Sequence, residues 1–288
     1  MRIYLECIQC IVRQAIEALQ MSTSDATLKD SIIREVLKKL SETPFDKTPA
    51  HMGVEVHRII KSRLGVRDPY RKLKAMYNRR ALKLFPAMKE IVLRSKHPLE
   101  TAVRLSIAGN TIDFGFHITN ATIPLEEIIE DTLKRSFKID HLKELSVAID
   151  NASQILYLAD NAGEIVFDRL LIEEIKGYSS RVLFAVKGHP IINDATIEDV
   201  RETGLTEIVR IITTGSDAPG TILETCNEKF INEFKRSDLI IAKGQSNYET
   251  LSDSDHNIFF LLKAKCPAIA YNLDVAVGDI IVKSGGKR

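Results

Sequence analysis

The 288-residue sequence lacks the features of a membrane protein and of a disulfide-stabilised protein. It contains no run of about 18 uncharged apolar residues, the length that a membrane helix needs. The first twenty residues carry Glu6 and Arg13 among apolar residues at helical spacing, unlike the apolar core of a signal peptide. Four cysteines are too few for a disulfide framework and suit a reducing compartment. We therefore expect a cytoplasmic protein with no membrane partner.

The chain also lacks an excess of either charge. Lys and Arg number 40 and Asp and Glu number 39, which leaves a net charge of +1. No bulk electrostatic attraction toward nucleic acid is expected at this balance, so any anion must be bound locally. The hydrophobic content of 44% is sufficient for two compact domains or one large one.

Several familiar catalytic motifs are absent. The sequence has no G-x-x-x-x-G-K-[ST] loop, and no G-x-G-x-x-G follows an apolar run, which excludes a P-loop enzyme and argues against ordinary dinucleotide binding. Neither H-E-x-x-H nor G-x-S-x-G occurs, which argues against a zinc protease or a serine hydrolase of those types.

What is present divides into two parts with different apolar periods. Up to about residue 150, apolar residues recur at helical spacing, and from Gln154 onward short β-rich runs alternate with polar loops and amphipathic segments such as Thr221 to Lys235. The predicted strands are "QILYLA", "RVLFAV", "EIVRIIT", "DLIIA" and "AIAYNL". This pattern predicts an α/β fold, with a parallel sheet covered by helices on both faces. We expect an all-helical domain at residues 1–95 and an α/β domain at residues 96–288.

Polar, glycine-containing loops follow the first four predicted strands. They are "DNAGE" (Asp160 to Glu164), "KGHPIINDAT" (Lys187 to Thr196), "TTGSDAPGT" (Thr213 to Thr221) and "KGQSNYET" (Lys243 to Thr250), and "AGNTIDFG" (Ala108 to Gly115) closes an earlier helix. Ligands of open parallel sheets bind beyond the carboxyl ends of the strands, so these loops are predicted to meet at one site.

The loops contain the side chains that bind a phosphoryl group beside a metal. Asp160, Asn161 and Asp194 offer only oxygen, which favours a hard divalent ion. Lys243 can supply a positive charge, and glycines allow backbone amides to approach an anion, namely Gly163, Gly215, Gly220 and Gly244. Each residue has a simpler explanation, since Asp and Asn also cap helices, glycine permits tight turns and a loop lysine can be solvated.

Seven segments in order carry a family resemblance: "ECIQC", "DPYRKLK", "AGNTIDFG", "DNAGE", "KGHPIINDAT", "GSDAPGT" and "KGQSNYETL". Together they resemble the damage-control metallophosphatase family, also called domain of unknown function 89, and its archaeal and bacterial branch with a Cys-x-x-Cys start. The resemblance implies a helical N-terminal region, a Rossmann-like core, a divalent metal ion (Mg, Mn, Co or Ni) and activity on small phosphorylated metabolites.

The resemblance also implies roles for individual residues. The family's metal ligands correspond to Asp160, Asn161 and Asp194, and its phosphate-contacting lysine corresponds to Lys243. We expect Asp160, Lys243 and Glu164 to be catalytic. The predicted substrate-binding residues are Asn110, Asp113, Gly163, Asp217, Gly244 and Asn247.

The leading hypothesis is a metal-dependent phosphomonoester hydrolase. It would act on sugar phosphates or damaged cofactor fragments by attack of metal-activated water, with an aspartyl-phosphate on Asp160 as the other route. One alternative is a carboxyl methyltransferase that uses S-adenosylmethionine, which is disfavoured because the first loop has one glycine and the second strand ends in Lys187-Gly188. Another is a phosphometabolite-binding protein without catalysis. Monomer and homodimer are both open.

Cys7 and Cys10 form an isolated Cys-x-x-Cys pair. With His51 and His57 they could suggest zinc or redox chemistry, but one pair lacks the four ligands of a structural zinc site, and core thiols at i, i+3 would look the same. We expect core thiols. His189, in the loop of Asp194, is either solvated or a substrate contact.

Overall fold

The computed structural model describes residues 1–111 and 125–285. Its α-helices are α1 (Leu5–Ser22), α2 (Ala26–Glu42), α3 (Pro49–Leu64), α4 (Arg71–Arg94), α5 (Pro98–Gly109), α6 (Leu125–Lys134), α7 (Leu142–Asn151), α8 (Glu164–Glu174), α9 (Tyr178–Arg181), α10 (Ile197–Glu202), α11 (Glu228–Arg236), α12 (Gly244–Leu251) and α13 (Pro267–Leu273). Its strands are β1 (Phe137–Asp140), β2 (Ile155–Leu158), β3 (Val182–Val186), β4 (Arg210–Thr213), β5 (Leu239–Lys243), β6 (Ile258–Lys263) and β7 (Ile280–Ser284). Short 3₁₀ helices span Leu205–Glu207 and Leu223–Thr225.

The seven strands form one sheet in the order β1-β7-β6-β5-β2-β3-β4. Strands β2 to β6 are parallel to one another, whereas β7 is antiparallel to β6 and parallel to β1. The predicted α/β fold is therefore confirmed, and its sheet is parallel except for the antiparallel pairing of β6 with β7.

Helices cover both faces of the sheet. Ile155 and Tyr157 of β2 pack in one core with helices α4, α5 and α8, while Leu156 and Leu158 pack in a second core with α11, α12 and α13. This alternation follows from the two-residue period of a strand. Because every residue of β2 is buried, the strand reads as a continuous apolar run, as expected for a parallel sheet.

Three details of the predicted secondary structure were wrong. The segment "AIAYNL" belongs to helix α13, which begins at Pro267, and the strand beside β5 is instead "IFFLLK", β6. The helix predicted from Thr221 begins at Glu228, where the Asn227 side chain accepts a hydrogen bond from the Phe230 amide. The first part of the chain also contains a strand, β1.

Helices α1 to α3 supply most of a third core, which includes Ile11, Val36 and Val56 and extends to Ala268 of α13. Helix α4 instead packs against α8 in the main core, through residues such as Val92. The domain boundary at residue 95 therefore stays a prediction. Within the two described ranges, no helix combines the length and the apolar character needed to cross a membrane.

Candidate functional site

The candidate site lies where the order of the strands reverses. From β2 the chain continues on one side to β3 and β4, and later returns on the other side to form β5 and β6. Asp160 and Asn161 follow β2, and Gly244 follows β5. A crevice at such a switch point is the usual ligand site of an open α/β sheet.

A cavity of about 770 Å³ opens at this point. The three predicted metal ligands, Asp160, Asn161 and Asp194, line it. The other lining residues come from helix α1, the loop after β6 and the first turns of α3 and α12. The helical part of the chain and the sheet therefore build the cavity together.

Backbone hydrogen bonds bring the three predicted ligands together. Asn161 and Asp194 form an isolated antiparallel bridge. The amide of Ala195 donates to the carbonyl of Asp160 at 2.8 Å, and the amide of Ala162 donates to the carbonyl of Asn193 at 2.9 Å. The loops after β2 and β3 are thus held side by side, with the predicted ligands at adjacent positions.

Two carboxamides orient the carboxylates beside the cavity. The side-chain nitrogens of Asn110 and Asn161 each donate to Oδ2 of Asp160 at 2.9 Å. The same nitrogens donate to Glu164, from Asn161 at 2.8 Å and from Asn110 at 3.1 and 3.2 Å. Because each nitrogen is directed at a carboxylate, each amide oxygen points away from it. Oδ1 of Asn110 is buried and has no hydrogen-bond partner among the residues that the structure describes.

Lys243 is fully buried behind Glu164. Its ammonium group donates to Oε1 of Glu164 at 2.7 Å, to Oδ1 of Asp168 at 2.5 Å and to the carbonyl of Ser106 at 3.0 Å. Burial opposes the charged form, but the charges of Asp168 and Glu164 outweigh it and raise the pKa of Lys243. Lys243 does not line the cavity, so contact with phosphate stays a prediction.

Asp168 completes this buried network and was not among the predicted site residues. It accepts hydrogen bonds from the hydroxyls of Tyr157 at 2.8 Å and Ser106 at 3.1 Å. Burial, followed by the charge of Glu164, raises the pKa of Asp168 to about 6, against the lowering effect of Lys243. Its signal in the sequence was a carboxylate one helical turn after Glu164, inside the apolar run "EIVFDRLLI".

The buried charges at the site leave an excess of two negative charges. Lys187 lies 3.4 Å from Oδ2 of Asp194 and also donates to the carbonyl of Gly220. Among the residues that the structure describes, the buried carboxylates at the site number four against two ammonium groups, and these six residues are Asp160, Glu164, Asp168, Asp194, Lys187 and Lys243. A divalent cation would balance them.

The donor set fits a hard divalent ion. Asp160, Asn161 and Asp194 present oxygen alone, which suits magnesium or manganese better than a sulfur-seeking metal. Within residues 1–111 and 125–285 there is no group of three or more His, Cys, Asp and Glu side chains placed to hold a metal. A metal at this site would therefore need the carboxamide oxygen of Asn161 as well as the two carboxylates.

Two predicted glycines are required by close contacts. Gly244 has a φ of +78°, and a Cβ at this position would overlap the carboxylate of Asp160. Gly163 has a φ of +76°, and a Cβ there would lie 3.1 Å from Cβ of Tyr77 on helix α4. Both positions combine a left-handed backbone with a lack of space, so glycine is the residue that fits.

The other predicted substrate-binding residues have different surroundings. Asn247 is fully buried, donates to the carbonyls of Ala159 and Lys243, and accepts from Thr221.

Asp217 pairs with Arg58 and Lys61 of helix α3. Burial favours its neutral form, but those two cations lower its pKa. Neither Asp217 nor Asn247 lines the cavity, and Asp113 lies outside the described residues. His189 is exposed and also outside the cavity wall.

Cys7 and Cys10 lie on helix α1 and line the cavity as free thiols. Burial raises the pKa of Cys7 to about 11, so this thiol is protonated at neutral pH. The sulfur of Cys10 accepts weak hydrogen bonds from Arg13 at 3.8 Å and Gln14 at 3.7 Å. His57 is buried against Tyr70 and is not part of the cavity wall.

The fold and the site together define a class of protein. It is an α/β protein with a polar, acidic site at the switch point of a doubly wound sheet. The sequence matches the model of the damage-control phosphatase ARMT1-like domain over residues 3–281. The chain belongs to this family.

Relatives of known sequence and structure agree with this assignment. An uncharacterised protein of Methanocaldococcus jannaschii is 42% identical, with 96% of this chain and 93% of that protein covered. A damage-control phosphatase of Archaeoglobus fulgidus is 38% identical, with 98% and 99% covered. The crystal structure of a DUF89 family protein from Pyrococcus horikoshii is similar with a TM-score of 0.90 at 36% identity, and 99% of each chain is covered. These relatives support a phosphatase-type function.

Proposed function

We propose that this protein is a metal-dependent phosphatase that hydrolyses small phosphorylated metabolites, such as sugar phosphates or damaged cofactor fragments. The observation that carries the proposal is the meeting of Asp160, Asn161 and Asp194 in the wall of the cavity, beside an excess of two buried negative charges. Names of relatives at 38% identity support the phosphatase class. The metal dependence and the substrates are our proposal.

The metal would be held by the carboxylates of Asp160 and Asp194 and by the carboxamide oxygen of Asn161. When bound, the ion would offset charge on the phosphoryl oxygens and lower the pKa of the attacking water. Glu164 orients the amide of Asn161 by accepting its hydrogen bond at 2.8 Å. Lys243 in turn donates a hydrogen bond to Glu164, so the positive charge of Lys243 lies on the far side of Glu164 from the cavity.

The phosphate group has a second source of binding at the start of helix α12. Gln245 and Ser246, in the first turn of this helix, line the cavity close to Asp160. The first amides of a helix lack partners within the helix, and the helix dipole favours an anion there. We propose that these backbone amides bind the phosphoryl oxygens that face away from the metal.

The organic part of the substrate would lie against helix α1. The cavity is much larger than a phosphate group, and its α1 wall presents polar side chains, namely Cys10, Arg13, Gln14, Glu17 and Gln20. Polar groups in a cavity of this size set orientation and specificity. The same wall also carries the apolar side chains of Ile11, Val12 and Ile16, so we propose a substrate with both polar and apolar groups in its organic part.

The test is phosphate release from a panel of phosphometabolites in the presence of Mg, Mn, Co or Ni. We expect turnover with at least one metal, loss of turnover after chelation, and recovery when metal is added back. Asp160→Ala is the control for a contaminating phosphatase, since it removes a predicted ligand. Failure to release phosphate with any metal would refute the proposal. Ligand binding without turnover would instead identify a phosphometabolite-binding protein.

A further inference from the structure

Helix α4 carries two buried polar residues, Lys74 and Asn78, whose function the metal site does not explain. Lys74 lies in the "DPYRKLK" segment, and neither residue lines the cavity. Both are fully buried, as is their partner Asp199. Buried polar groups of this kind are costly unless each is paired, so their arrangement is specific.

One contact of Asn78 reaches the first loop of the site. Its side-chain oxygen accepts a hydrogen bond from the amide of Gly163 at 2.7 Å. Gly163 is the second residue after Asn161, and it packs directly against Tyr77 of the same helix. The turn that carries Asp160 and Asn161 is therefore docked on α4.

The second set of contacts reaches the loop after β3. The side-chain nitrogen of Asn78 donates to Oδ1 of Asp199 at 3.0 Å, and Lys74 pairs with Oδ2 of Asp199 at 2.8 Å. Asp199 accepts from the amide of Thr196 at 2.9 Å, which is one half of a capping box at the start of α10, and from the Thr196 hydroxyl at 2.7 Å. Thr196 is the second residue after Asp194.

We infer that Lys74 and Asn78 are positioning residues that hold the loops of Asn161 and Asp194 in place, in addition to the backbone hydrogen bonds between those two loops. One helical turn of α4 contacts both loops, at Gly163 directly and at Thr196 through Asp199. Gly163 and Thr196 are each the second residue after a predicted ligand. The inference rests on the proposed function, because it assigns these residues to the geometry of the metal site. A metal site tolerates displacements of only about 0.5 Å, and loss of a supporting hydrogen bond typically lowers metal affinity 10- to 100-fold.

The test compares Asn78→Ala with Val92→Ala, a control on the same helix. Val92 is buried in the main core, roughly 21 Å from Asn78 along the helix at 1.5 Å per residue, and supports neither loop. Divalent metal is titrated into each folded variant by calorimetry, and the visible spectrum of the cobalt-loaded protein reports the ligand geometry. Asn78→Ser, which keeps a small hydroxyl group, replaces Asn78→Ala if the latter does not fold.

We expect Asn78→Ala to bind metal 10- to 100-fold more weakly with an altered cobalt spectrum. Val92→Ala should have the metal affinity and cobalt spectrum of the wild-type protein, even though it lowers the melting temperature. If the Asn78 variant kept its metal affinity and cobalt spectrum, the inference would be overturned but the proposed function would stand. The same would follow if Val92→Ala lost as much metal affinity as Asn78→Ala. Absence of metal binding in the unchanged protein would overturn the proposed function, and the inference with it.

Discussion

Gly244 lies directly against the carboxylate of Asp160, so closely that a Cβ on Gly244 would overlap Oδ2. The two residues belong to loops that follow different strands, β5 and β2, on the two sides of the switch point. The contact therefore couples the start of helix α12 to the first predicted metal ligand.

Gly244→Ala should displace Asp160 and weaken metal binding at least 10-fold, because the added methyl group occupies the position of the carboxylate. Gly65→Ala is the matched control. Gly65 also has a positive φ, +64°, but no neighbouring atom lies within 4 Å of the position that a Cβ would occupy. Both variants carry the backbone strain of a non-glycine residue, and only one carries the clash. Calorimetric metal titration distinguishes them, and equal affinities in both would contradict the coupling.

Asp160→Ala should abolish both metal binding and turnover, and excess metal should restore little activity, because the remaining donors are one carboxylate and one carboxamide. Calorimetry and phosphate release measure the two effects separately. If Asp160 served only as a cap or a turn residue, its loss would cost about 1 kcal/mol of stability and leave metal affinity unchanged. That second outcome would refute the site.

Lys243→Met should lower the free energy of unfolding by about 3–5 kcal/mol, since Glu164 and Asp168 lose the cation buried between them. Urea unfolding measures the change. Adding Asp168→Asn to this variant should recover part of the loss, because one uncompensated charge is removed. Lys89→Met breaks the half-exposed pair with Glu173 and should cost at most about 1 kcal/mol. A similar cost for both lysines would contradict this account of Lys243.

Arg13→Ala should raise the KM for substrates with a polar organic group by roughly 10- to 100-fold, the effect of losing a charged hydrogen bond. The metal affinity should not change, because Arg13 lies on the α1 wall of the cavity. Arg34→Ala, at an exposed position of α2, is the control. Steady-state kinetics on the best substrate decides the matter, and an unchanged KM would exclude Arg13 from substrate binding.

His57 should make the protein less stable in mild acid. Burial lowers its pKa from the ordinary value of 6.5 to about 4, so the unfolded chain binds its proton first as the pH falls. The stability that neutral His57 provides is complete above pH 6.5 and decreases by up to about 3 kcal/mol as the pH falls to 4. His57→Phe should flatten the pH dependence of unfolding in this window. An equal slope in both proteins would show that His57 contributes nothing to it.

The core of the fold follows from local patterns, and its edge does not. The runs at β2 to β5 are apolar, short and followed by glycine-containing loops, which is enough to identify strands of a parallel sheet. The segment "AIAYNL" has the alternation of a strand, but Pro267 directly before it favours the first turn of a helix, and α13 forms there. The direction of β7 depends on pairing with β6, which no local pattern specifies.

The candidate site shows the same division. Asp160, Asn161 and Asp194 could be proposed from the sequence because each lies in a loop that follows a strand, and ligands of a parallel sheet bind at those loops. The surroundings of Lys243 could not be predicted in this way, because its partners Ser106 and Asp168 come from helices α5 and α8 that only tertiary packing brings beside β5. The contacts of helix α4 with the two loops could not be predicted either, because they join residues far apart in sequence.

The antiparallel strand β7 has a consequence for the order of folding. It lies between β6 and β1, and Phe137 of β1 is paired with Ile280 of β7. As the chain emerges during synthesis, β1 is made long before its partner, and it has no place in the sheet until β7 arrives. Contacts of such large sequence separation slow folding, and domains tend to fold as units on the ribosome. The sheet is therefore completed last at this edge, because β1 cannot pair until β7, about 140 residues further along the chain, has been made.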